Sequence, residues 1–163
     1  MTGPARVALV PGVLALLPEH AGLDDPVAAL RAACHAAVGW LGRDVTVLAD
    51  PQGARVAAHL LGAVGREGDA PSYLVVANGS ARRSEKAPGH LDGRAAGFDA
   101  ALGAGLRAGS FEVDADLAAE LWASVEGLVL AGRELGGCRL AGVDYDDDPF
   151  GVQYWVMRWT CES

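Results

Sequence analysis

The chain has 163 residues, 51% hydrophobic and 21% charged, with a formal net charge of −8 and a pI near 4.8. That length suits one domain, read over 1–163, with a core that needs no covalent staples, and the composition excludes a disordered polar chain. The acidic balance argues against nucleic acid and anionic membranes as partners, and no apolar run reaches the roughly 18 to 20 residues of a helical membrane span.

In chain order, Arg6 to Val10 is a short apolar run ended by Pro11-Gly12, which predicts a buried strand entering a loop. The opening "MTGPARVALVPGVLALLPEH" has one early charge, Arg6, and its apolar stretch is broken by Pro11, Gly12 and Pro18. It lacks the layout of a signal peptide, so the expected location is cytoplasmic. Asp24-Asp25-Pro26 reads as an N-cap with proline in the first turn, ahead of a helix carrying Val27, Leu30, Cys34, Val38 and Leu41. "DVTVLA" predicts a second strand, "ARVAAHLLGAV" a second helix and "SYLVVA" a third strand. Apolar strands alternating with helices predict a mostly parallel sheet covered on both faces.

Asp92 is placed to cap a third helix with Ala95, Phe98 and Leu102 on one face, ending at Gly105 or Gly109. Asp114 caps a fourth, along which Leu117, Leu121, Val125 and Leu128 form one apolar stripe. "CRLAGVDY" and "GVQYWVMRW", separated by "DDDPF", then predict two late strands. The expected fold is therefore a single-domain, three-layer α/β/α arrangement whose central sheet is mostly parallel and whose late strands form an antiparallel edge. The apolar final strand bearing Tyr154, Trp155 and Trp159 either offers a surface for pairing with a second copy or lies buried under the helices.

Common chemical motifs are missing. The sequence holds no phosphate loop, no HExxH and no GxSxG elbow. Cys34, Cys138 and Cys161 are odd in number and lack CxxC spacing, which points to buried thiols rather than disulfides or a zinc site. "DYDDDPFG", Asp144 to Gly151, lacks the central glycine and distal glutamate of a calcium loop and reads as a solvated turn. His20, His35, His59 and His90 show no i, i+3 or i+4 spacing, so a metal site would have to be assembled by the fold.

Charge is concentrated in "NGSARRSEKAPGHLDGRA", Asn78 to Ala95, which leaves the carboxyl end of the third predicted strand and contains Lys86, the only lysine beside twelve arginines. In an open parallel sheet ligands bind outside the carboxyl ends of the strands. Arg82, Arg83 and Lys86 could hold an anionic group, or Glu85, Asp92 and Arg94 could pair with them and anchor the loop.

This segment, extended through "GFDAAL" and joined by the later "LAAELW" and "DYDDDPFGVQYWVMRW", resembles the actinobacterial class III extradiol ring-cleavage dioxygenase B-like proteins. The opening "VALVPGVLALLPE" is similar to their first strand and turn, and the chain is shorter than they are between Asp50 and Pro71. The resemblance implies an α/β fold with a strand-end pocket, a homodimer, and in active members a non-heme Fe(II) held by two His and one carboxylate. It also implies a His after the first strand, where this chain has Pro11-Gly12-Val13, and a Ser-His pair after the third, where it has Ser80-Ala81-Arg82. Arginine keeps its proton and cannot act as a general base.

Three functions remain open. The first is a small-molecule binder for an anionic or aromatic metabolite, without an iron cofactor, using Ser80, Arg82, Arg83, Tyr145 and Tyr154, with Lys86 and His90 nearby. The second is a metal-independent isomerase, cyclase or lyase with His90 as acid/base, Glu85 or Asp92 assisting it, and Lys86 as electrophile or nucleophile. The third is residual ring cleavage on a reassigned metal site built from His20 or His90 with Asp50 or Asp144.

Overall fold

The computed structural model describes residues 4–17 and 27–162. It is a mixed α/β structure built on one five-stranded sheet. The elements in chain order are β1 (Ala5–Val10), a short 3-10 turn (Leu14–Leu16), α1 (Ala28–Gly39), β2 (Val45–Leu48), α2 (Pro51–Ala63) and β3 (Ser72–Val76). Then follow α3 (Ala95–Arg107), α4 (Ala115–Glu120), α5 (Glu126–Glu134), β4 (Gly136–Asp147) and β5 (Tyr154–Glu162). The strand order is β2-β3-β1-β5-β4, with β2, β3 and β1 parallel and the last two strands antiparallel. The expected parallel core with an antiparallel flank is therefore present. His20 and the proposed Asp24-Asp25-Pro26 cap lie outside the described residues.

Alternation along β1 divides the buried side chains into two clusters. Ala8 and Val10 pack with Leu30, Cys34 and Val38 of α1 and with Val56 and Leu60 of α2. Val7 and Leu9 pack with Leu102 and Leu106 of α3 and Leu128 of α5. The period-2 geometry of a strand sends neighbouring side chains to opposite faces, so the apolar run of β1 serves both clusters at once. The second helix starts earlier than its sequence suggests, because Asp50 caps it by accepting the Gly53 N–H at 2.7 Å and Pro51 occupies its first turn.

The single fourth helix expected from Leu117 to Leu128 is two helices. α4 stops after Glu120, Trp122 takes a left-handed φ of 59°, and Ser124 pairs with Asn78 beyond the end of β3. Helical spacing concealed the break, since Leu121, Val125 and Leu128 are all buried on either side of it. α5 then runs against the sheet, where a Cβ at Gly127 would collide with the Val76 carbonyl oxygen and stand 2.6 Å from that of Leu48. The close approach requires glycine.

Two expectations about the late strands are also corrected. β5 is an interior strand between β1 and β4, and Tyr154, Trp155 and Trp159 are buried, so these aromatics are not available to pair with a second copy. The edge is β4, which carries Asp144, Asp146 and Asp147 and has register shifts at Gly136/Cys138, Leu140/Gly142 and Val143/Tyr145. Bulges and charges of this kind blunt a sheet edge against further pairing. Cys138 and Cys161 face each other across β4 and β5 and form a disulfide, whereas Cys34 is a buried free thiol. The absence of CxxC spacing could not reveal this pair, because only strand register makes the two residues neighbours.

Burial in the α1 cluster pushes the Cys34 thiol up to about 12. Thiol titration of the native protein at pH 8 should detect no rapidly reacting cysteine, and denaturation without reductant should release one. Reducing the disulfide, or replacing Cys138 by Ser, should lower unfolding stability by about 2–4 kcal/mol in urea titrations.

Candidate functional site

The site region is built on the chain leaving β3. Ala77 donates its N–H to the Val10 carbonyl at 3.0 Å, continuing the β1–β3 pairing by one residue. Asn78 exchanges backbone hydrogen bonds with Ser124 on one side, at 2.9 and 3.2 Å. On the other, Gly79 donates to the Gln153 carbonyl at 2.8 Å and Gln153 donates to that of Ser80 at 3.0 Å. The start of the charged segment is therefore clamped between the α4–α5 break and the entrance to β5.

Its anchor is Asp99 of α3, which is 3% exposed. One carboxylate oxygen accepts the Ser80 N–H at 2.8 Å; the other accepts the Ser80 hydroxyl at 2.7 Å and Arg83 Nη1 at 3.0 Å. A buried carboxylate is tolerated when it is paired and hydrogen-bonded in this way. Arg83 also donates through Nε to Asp148 at 2.8 Å, and its two carboxylates outweigh its partial burial to raise its already high pKa. Gly79 makes the approach feasible, since a Cβ there would lie 2.6 Å from Asp99 Oδ1 and 2.7 Å from Gln153 Cβ.

The remaining charged residues form a second, more exposed set. Arg82 donates to the Glu120 carbonyl at 3.1 Å and lies 3.8 Å from Asp92. Arg94 pairs with Asp92 at 2.9 Å and with Glu120 at 3.4 Å. Asp92 accepts the Arg94 N–H at 2.9 Å just ahead of α3, but the residue flanking that helix is Arg94 itself, so the expected Asp92 cap is a turn leading into the helix. Hydrogen bonds from the Arg94 side chain and backbone hold the Asp92 carboxyl down to about 2.

Glu85, Lys86 and His90, the expected catalytic group, are all exposed. His90 takes a left-handed φ of 60° with Nδ1 3.2 Å from the Glu85 carbonyl oxygen, and Lys86 has no hydrogen bond or ion pair among the described residues. Tyr145 and Tyr154 belong to the α1–α2 cluster, whereas Asp99 rises from α3, whose Leu102 and Leu106 belong to the other cluster. Burial pushes the Tyr154 phenol up to about 12 and, ahead of Asp147 and Asp148, raises that of Tyr145.

Of the site residues expected from sequence, Arg83 lines a cavity. This space of about 140 Å³ is bounded by Arg83, Asp99, Arg107, Asp146, Gln153 and Trp155. Arg107 Nη2 lies 2.6 Å from Asp146 Oδ2, and Gln153 Nε2 donates to Asp146 Oδ1 at 2.7 Å. Sequence reading missed Asp99, Arg107, Asp146, Asp148 and Gln153 as members of this group. Asp99 did leave a signal: an acid four residues after Ala95 and three before Leu102 sits on the apolar stripe of its own helix.

At the position after the first strand, where the resemblance implies a metal-ligating His, the chain has Pro11, Gly12 and Val13. A Cβ on Gly12 would already be 3.2 Å from Val76 Cγ1 and 3.5 Å from Gly53 Cα. The Gly12 carbonyl is occupied by Gln52 Nε2 at 2.7 Å. Among the described residues no three His, Cys, Asp or Glu side chains converge as a metal-binding group. Asp50 caps α2, and Asp144 holds Arg158 at 2.7 Å. No family model matches the chain, and neither a curated protein nor a solved structure matches it.

Replacing Asp99 by Ala strands the Ser80 donors and removes the buried partner of Arg83, so unfolding stability should fall by about 3–5 kcal/mol in denaturant titrations. Asp92 has a depressed folded-state pKa, so its pairing with Arg94 is present above the ordinary carboxyl range and is lost only as pH falls through about 2. Carbon-detected NMR titration should place its midpoint near 2 in the wild type and higher in Arg94→Ala.

Proposed function

We propose that this chain is a divergent member of the class III extradiol dioxygenase B-like group, a single three-layer α/β/α domain that binds a small carboxylate-bearing metabolite without iron-dependent ring cleavage. The reading rests chiefly on the cavity beside Arg83, where two guanidinium groups and the Trp155 indole border one polar space. Arginine forks match carboxylates bidentately, and an indole supplies a flat apolar wall. A volume of about 140 Å³ corresponds to roughly four or five waters, which favours a compact acid over an extended metabolite.

Asp148 and Asp146 pair with these arginines and have side-chain exposures of 39% and 36%. An incoming carboxylate would compete with Asp148 for Arg83 and with Asp146 for Arg107, while Asp99 keeps Arg83 in position from below. Packing at Gly12 and the engagement of Arg82 by Glu120 and Asp92 support the view that the family's iron chemistry is not used. The exposed positions of Lys86 and His90 give no support to a catalytic role for them.

Benzoate serves as the probe. Titration followed by amide NMR should give saturable shifts at Ser80, Asp99 and Gln153. Arg107→Ala should abolish them, and Asp146→Asn should tighten binding severalfold by removing the competitor. No saturable shift, or unchanged binding in Arg107→Ala, would overturn the proposal. Anaerobic Fe(II) loading should leave the protein without oxygen uptake in the presence of catechol.

A further inference from the structure

The opposite flank of α3 carries a second cavity, of about 410 Å³, distinct from the one beside Arg83 and within the usual range for small-molecule sites. Its walls are Phe98 and its neighbours on α3, Val113 from the connecting segment and Leu117 of α4. Phe98, Val113 and Leu117 are only partly buried, so the fold leaves their apolar surface open towards this space. The charged residues lining it are both acids, Glu112 and Asp114. Arg133 lies in a neighbouring depression that also contains Glu112 and Asp114, and it forms no ion pair with either.

Two details of the lining bear on what the cavity could hold. The Glu112 carboxylate has no hydrogen bond or ion pair among the described residues, whereas Asp114 uses Oδ1 to accept the Leu117 N–H at 3.1 Å. Gly97, inside α3, also lines the cavity, and a Cβ added there would meet nothing within 4 Å. Glycine inside a helix costs roughly 0.5–1 kcal/mol relative to alanine. No close packing at Gly97 accounts for that cost. Its lack of a side chain does keep this wall of the cavity free.

We propose that this cavity is a binding site for a small organic cation with an apolar body, of the arylalkylammonium type. The aromatic or aliphatic body lies against Phe98, Val113 and Leu117, and the ammonium group is placed at the rim by Glu112 and Asp114. The face of Phe98 adds quadrupole attraction for a cation that sits near it. Charge complementarity selects the occupant, since the unpaired carboxylate lining an apolar cavity repels anions and adds no ion pair to a neutral isostere, which keeps only the apolar contacts.

Phenethylammonium, 2-phenylethanol and 3-phenylpropionate form a matched probe set for titration of the full chain by NMR and calorimetry. The cation should bind saturably with shifts centred on Gly97, Phe98 and Leu117. The alcohol should bind severalfold more weakly, and the anion should not saturate. Glu112→Gln should weaken the cation by about 2–5-fold, as expected for an exposed ion pair, and leave the alcohol unchanged. Gly97→Leu should fill the cavity and abolish binding of both, while Gly97→Ala, which only shortens the free space, should retain the cation and unfold at higher temperature. Equal affinity for the three probes, no saturable binding, or cation binding that survives Gly97→Leu would overturn the proposal. Binding of benzoate beside Arg83 is read at different amides, so either site can fail without the other.

Discussion

The hydrogen-bonding of Asp99 sets the geometry of the whole strand-end region. A carboxylate 3% exposed must find donors inside the protein, and it finds them in the Ser80 amide, the Ser80 hydroxyl and Arg83. Ser80 fixes the backbone just after β3, and Arg83 continues the chain of charges to Asp148 beside the β4–β5 connection. Three parts of the sequence far apart in number are thereby joined through one side chain on α3. Because Gly79 leaves no room for a Cβ between Asp99 and Gln153, the strand exit and the helix meet at backbone distance.

This arrangement changes what the charged segment means. Its density of arginine and acid suggests a ligand-binding loop, yet most of those groups satisfy one another or the backbone. Arg82 and Arg94 share Asp92 and reach to Glu120, which ties the loop to the end of α4. Glu85, Lys86 and His90 face solvent. Arg83 combines a structural bond with a wall of a cavity, so the functional reading of the segment centres on one guanidinium whose partners come from other elements.

The parallel half of the fold was legible because its signals are local. β1, β3, α1 and α2 follow from continuous apolar runs, helical spacing and turn residues, each confined to about a dozen positions. The rest depended on contacts that no short window contains. Leu117, Leu121, Val125 and Leu128 keep helical spacing across a break imposed by pairing between Ser124 and Asn78. The short spacing between the two late strands suggests a pair at the sheet edge, although apolar residues on both faces of β5 are the mark of an interior strand. The cavity group was missed for the same reason: Arg107, Asp146 and Gln153 lie on three different elements or connections, and their convergence is a property of the sheet order.

That sheet order carries a consequence for how the molecule reaches its folded state. β1, early in the chain, has β3 on one side and β5 on the other, and its pairs include Ala5 with Cys161. The β2-β3-β1 unit can assemble from neighbouring segments, but the remaining hydrogen-bonding side of β1 waits for the last strand described. Contacts so distant along the chain carry a large loop-closure cost and slow the search for the folded state. Until β5 inserts, a strand that ends almost wholly buried presents a bare edge, and the molecule is at its most adhesive during that interval.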